Sequence, residues 1–88
     1  MNTASAQKEK IPMNELRPGE SGTVRAIRLH GSIRRRIQDI GLICGTPVQC
    51  VGVSPLGDPA AYRIRGAVIA IRRDDSRNID LERLTQWE

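Results

Sequence analysis

The sequence has no phenylalanine, one tyrosine (Tyr62) and one tryptophan (Trp87). Its core must therefore come from Ile, Leu, Val and Ala. Stacking of bases on aromatic platforms, the usual device of a small single-strand binder, has almost nothing to work with. Cysteine is scarce: Cys44 and Cys50 alone do not make a disulfide framework. Histidine is scarcer, with His30 alone, and no nucleophile–base–acid set is legible around it. The longest apolar run, Ala67 to Ile71, has the length of a strand and falls far short of the roughly 18 residues of a membrane-spanning helix. The opening "MNTASAQKEK" lacks the apolar centre of a secretion signal, so a cytoplasmic protein is expected. No Gly-x-x-x-x-Gly-Lys-Ser/Thr loop is present to cradle a nucleotide phosphate. The 88 residues suit one domain. They leave no room to enclose a ligand that needs about 300 Å³.

Arginine is plentiful and unevenly placed. Residues 17–73 hold ten arginines against three acids, whereas residues 74–88 hold five acids against two arginines. A basic body of this kind fits an acidic protein surface or a phosphate backbone, and composition does not choose between them.

Residues 1–10 show no hydrophobic period and read as a disordered lead-in to a single domain over 11–88. Met13 and Leu16 suit one short helical turn, and Pro18-Gly19 is turn chemistry. Gly22, expected at a structural turn, opens a strand in which alternation holds at Val24 and Ala26 and changes phase at Ile27. Val48 and Cys50 alternate before Val51 and Val53 take over. Such phase changes predict bulges or sharp bends. Cys50 reads as a small core residue. Tyr62 and Ile64 lead to Gly66, a tight hairpin turn before "AVIAI", and "NIDLERL" alternates as a last strand. "SPLGDP", residues 54–59 ahead of Tyr62, is a loop. The pattern predicts a mainly β fold: about five short strands in a small, strongly curved barrel, whose closure hides the sheet edges.

The exception is "SIRRRIQDIG". Ile33, Ile37 and Ile40 fall on one face of a short helix over about 32–40, with Ser32 as its expected N-cap. Arg35 lies opposite that face, flanked by Arg34 and Arg36, and pairs at i, i+4 with Asp39. Gly41 suits the left-handed residue that closes the helix, and Gly45 a turn into the next strand. Arg34, Arg35 and Arg36 are therefore candidates to steer an acidic partner, and Leu42 and Ile43 candidates for an exposed apolar tip beside them. His30, Cys44 and Cys50 lack the close pairs of a metal site, and no metal or cofactor is expected. Asp74 and Asp75 are adjacent and cannot face one site; "DDSRN" reads as a capped turn.

Three blocks together resemble the FeoA family: "LRPGESGTV", "RRIQDIGLICGTPVQCV" and "PLGDPAAYRIRGAVIAIRRDDSRNIDL". The resemblance spans about residues 11–83. Cys44 stands where the family often has proline. The resemblance implies an SH3-like β-barrel with an inserted helix. It also implies a non-enzymatic accessory role in ferrous-iron uptake. The partner it implies is the cytosolic part of FeoB, the membrane transporter with a GTP-binding domain, whose assembly or GTP cycle would be modulated. Contact with the membrane is then expected only through the transporter, direct nucleic-acid binding is not expected, and self-association is left open. The same fold occurs in the C-terminal domain of some iron-dependent repressors. The alternative reading is therefore a transition-metal-binding or nucleic-acid-binding module.

Overall fold

The computed structural model describes residues 6–86. Six strands form one antiparallel sheet: β1 (Ala6–Pro12), β2 (Ser21–Ile27), β3 (Pro47–Val53), β4 (Ala60–Ile64), β5 (Ala67–Ile71) and β6 (Ile79–Gln86). Their spatial order is β1-β6-β2-β3-β4-β5. A helix, α1 (Gly31–Asp39), joins β2 to β3, and a single helical turn, α2 (Arg73–Ser76), joins β5 to β6.

The sheet has one strand more than the five expected. Residues 6–10, expected in the disordered lead-in, pair with β6 from Ala6↔Gln86 to Lys10↔Glu82. Residues 1–5 lie outside the described residues. The strand escapes pattern reading because "AQKEK" has no apolar face; its partner strand, rather than a core, defines it. The fold is also open where closure was expected. β1 and β5 are the two ends of the sheet and are not paired with each other.

The phase changes mark bulges, as expected. The register of β2 against β6 shifts between Val24 and Ala26, and that of β3 against β4 shifts between Cys50 and Gly52. Each adds a residue to one strand and bends it, so the sheet curls around its own apolar face. Val24, Val48, Cys50, Tyr62, Ile64, Ile79 and Leu81 fill that interior, closed at one end by Met13 and Leu16 around the short 3₁₀ turn Met13–Glu15. Gly22, expected at a turn, lies within β2 instead. A Cβ there would sit 3.2 Å from the Leu81 Cβ and 3.3 Å from the Glu82 carbonyl oxygen, so the position serves close approach of β2 to β6.

Helix α1 covers the open side with Ile37 buried and Ile33 and Ile40 half-buried against the core. It begins one residue earlier than expected. His30, not Ser32, is the extended residue before the first turn, and no side chain caps it. The other end follows the sequence reading. Gly41 has φ +93°, its N–H donates to the Gln38 carbonyl, and the Leu42 N–H donates to the Ile37 carbonyl. These two bonds make a Schellman closure. The ion pairs among the described residues do not include Arg35 with Asp39.

Candidate interaction surface

The "RRRIQDIGLICGT" segment divides into a fixed part and a free part. Arg34 is half-buried, and its Nη1 donates to the carbonyls of Ile27 (2.7 Å) and Leu29 (3.2 Å). It ties α1 to the end of β2, which sets it apart from its two neighbours among the candidate steering arginines: its Nη1 is engaged on the backbone. Leu42 is corrected. It is fully buried, because the Schellman closure folds the residue after the glycine back onto the helix and into the core. Arg35, Arg36 and Ile43 are exposed, Ile43 by 44%.

The turn behind them is tightly bonded. Thr46 is buried; its Oγ1 donates to the Gly41 carbonyl (3.0 Å) and accepts from the Ile43 N–H (3.2 Å). The Gly45 N–H donates to the Val24 carbonyl (2.8 Å) with Gly45 at φ +93°. Arg65 reaches across from the β4–β5 turn, and its Nε donates to the Gly41 carbonyl at 3.0 Å. A cation there also suits the negative end of the α1 dipole.

Beside this turn, an open groove of about 290 Å³ runs between α1 and β5. Ile33, Ile37, Ile40, Ile69 and Ile71 line its floor. Arg36, Arg72 and Asp75 stand at its rim. Arg36 and Arg72 take part in no ion pair among the described residues. Sequence reasoning found the helix side of this groove and missed the β5 side. The signal was present in "AVIAI", an uncharged run bracketed by arginines.

Several charged groups elsewhere hold strands together. Arg83 on β6 bonds Glu9 on β1 (3.0 Å) and Glu20 before β2 (2.9 Å). The Arg17 backbone N–H, together with Arg83, holds the Glu20 carboxyl below its ordinary value. Arg28 pairs with Asp80, and Arg25 lies 3.6 Å from Glu82. Cys50 is buried, as expected, and Cys44 is exposed with its thiol donating to the Arg25 carbonyl (3.3 Å). His30 is exposed at the start of α1. Among the described residues no three His, Cys, Asp or Glu side chains come together to hold a metal ion. Asp74 and Asp75 fall in α2, where the expected turn winds into one helical turn, and the Asn78 side chain donates to the Asp74 carbonyl.

This arrangement holds an apolar groove with a cationic rim, a surface suited to contact. The family model for the FeoA domain matches residues 11–83. The chain belongs to the FeoA family. That family is linked to ferrous-iron transport. A curated relative from Porphyromonas gingivalis, a fusion of Fe(2+) transport protein A and the Fe(2+) transporter FeoB, is 31% identical over 70 residues, 80% of this chain. The chain spans 8% of that relative's length. The solution structure of a FeoA-like protein from Clostridium acetobutylicum is 30% identical, with a TM-score of 0.75 over 90% of this chain and 91% of that one. The zinc-complexed FeoA of Stenotrophomonas maltophilia, described as a procaryotic SH3 domain protein, is 23% identical. It covers 81% of this chain and 93% of its own, with a TM-score of 0.70. At that identity the likeness gives the fold, which is SH3-like, mainly β and here open between β1 and β5. The T. acidophilum IdeR shares the fold at 20% identity over 82% of this chain and 33% of its own, with a TM-score of 0.72. That likeness concerns the fold alone.

Among the described residues no helix is long and apolar enough to cross a membrane.

Proposed function

We propose that this protein is a non-enzymatic accessory of ferrous-iron uptake. In this reading it binds the cytosolic part of a FeoB-type transporter and modulates its assembly or GTP cycle. The observation that carries the reading is the fused relative, in which a FeoA protein and a FeoB transporter share one polypeptide. Fusion raises the local concentration of two modules that act together. The surface supports it: exposed Arg35 and Arg36 steer an acidic partner, and the adjoining apolar groove supplies area to bury. The protein then works in the cytoplasm and meets the membrane only through the transporter. The repressor-like reading gains nothing specific, because its support is a shared fold.

The test is capture of the transporter by the tagged full-length chain, with and without a GTP analogue, at two salt concentrations. Capture that depends on nucleotide and weakens with salt is expected. Failure with both the cytosolic part and the full-length transporter in detergent overturns the reading.

A further inference from the structure

We propose that the free edge of β5 accepts an extended acidic segment of a partner protein as an added strand. The inference rests on the docking reading above and deepens it by naming the face and the chemistry that fits it.

The sheet has two ends, and they differ. The β1 end carries Lys8, Glu9 and Lys10 in succession, and charge of this kind guards an exposed edge against pairing. The β5 end is Ala67-Val68-Ile69-Ala70-Ile71 with no charge along it. In the β4–β5 hairpin the pair next to the two-residue turn is Ile64↔Ala67. Val68 and Ala70 therefore turn their N–H and C=O groups away from β4. Neither makes a backbone hydrogen bond to a further element among the described residues. Two residues thus offer two donors and two acceptors, the pattern that strand addition uses.

The setting selects the partner. An added strand would lay alternate side chains over the isoleucine-lined groove between β5 and α1. The rim there holds Arg36 and Arg72, which make no ion pair among the described residues, against the acid Asp75. Acidic side chains at the positions facing these arginines complement them. A second copy of this chain does not. Its own β5 brings no acid to set against them.

The test uses the full chain and two short peptides, one alternating Glu with Val and one alternating Lys with Val. The acidic peptide is expected to bind and to slow hydrogen exchange at the Val68 and Ala70 amides. Val68→Lys adds a guarding charge at a half-exposed position, and Ala70→Pro deletes an outward N–H that β4 does not use. Each is expected to weaken binding about tenfold or more while thermal melting confirms the fold. Equal binding of the basic peptide, indifference to both variants, or no binding overturns the inference. So does dimerisation of the wild-type chain that Val68→Lys abolishes. Capture of the transporter by the same variants separates the two claims. Unchanged capture overturns the β5 inference and leaves the docking reading. Peptide binding without any transporter capture does the reverse.

Discussion

Arg34 donates to the carbonyls of Ile27 and Leu29, while Arg35, one residue on, projects into solvent. Arg34→Ala is expected to destabilise the fold by about 1–3 kcal/mol, because two carbonyls lose a charged donor. Arg35→Ala is expected to change stability by less than about 0.5 kcal/mol. Chemical denaturation of the two variants checks this, and equal effects would contradict it. Leu42 and Ile43 form a second contrast. Leu42→Ala empties a fully buried site, at about 2–5 kcal/mol, and Ile43→Ala removes a side chain 44% exposed, at about 1 kcal/mol or less. Tyr62 allows a direct titration because it is the only tyrosine. Burial pushes its phenol above the ordinary value of 10.0, against a smaller opposing contribution from Ser76. The stability it confers is present below pH 10 and lost as pH rises through the raised value. Absorbance titration should show late ionisation in the folded chain and ordinary ionisation in denaturant. Glu20 acts in the opposite sense. Its lowered carboxyl contributes stability above its ordinary value of 4.5 that is lost as pH falls below it. Glu20→Gln should flatten the acid limb of a melting-temperature profile.

At the scale of elements, the turn after α1 joins helix to sheet. Gly41 has φ +93°, and a Cβ there would sit 2.5 Å from the Arg65 Cδ. Gly41→Ala is expected to cost about 1–3 kcal/mol from the backbone conformation. Adding Arg65→Ala removes the collision, and with it the Arg65 bond to the Gly41 carbonyl, so the double variant is compared with Arg65→Ala alone and should remain less stable than it on denaturation. Equal stability of those two would show that the collision alone mattered. Elements whose side chains meet the core were legible in the sequence: the isoleucine face of α1, both bulges, the glycine closure and the Gly66 hairpin each leave a periodic trace. Elements defined by backbone pairing or by a neighbour were not. "AQKEK" becomes β1 because β6 offers it an edge, and Leu42 is buried because a Schellman closure reverses the chain, whereas two flanking glycines suggest an exposed tip. The candidate surface was half legible for the same reason. Arg35, Arg36 and Ile43 stand out along the chain, but the groove exists only once β5 is set beside α1.

At the scale of the whole molecule, curvature without closure is the defining feature. Bulges in β2 and β3 curl the sheet far enough to bury a core in which Tyr62 is the one aromatic among the described residues, and α1 covers the side left open. What remains is a small body with positive charge concentrated between residues 17 and 73 and an apolar groove beside one sheet edge. The account is tested most directly by the kinetics with which the full-length chain binds the cytosolic part of the FeoB-type transporter of its own organism. The wild type is compared with a variant carrying Arg35→Glu and Arg36→Glu. Saturable binding is expected, with the double reversal slowing association about tenfold at low salt and leaving the melting temperature unchanged. Absence of binding by the wild-type chain, in every nucleotide state of the transporter, would contradict the account.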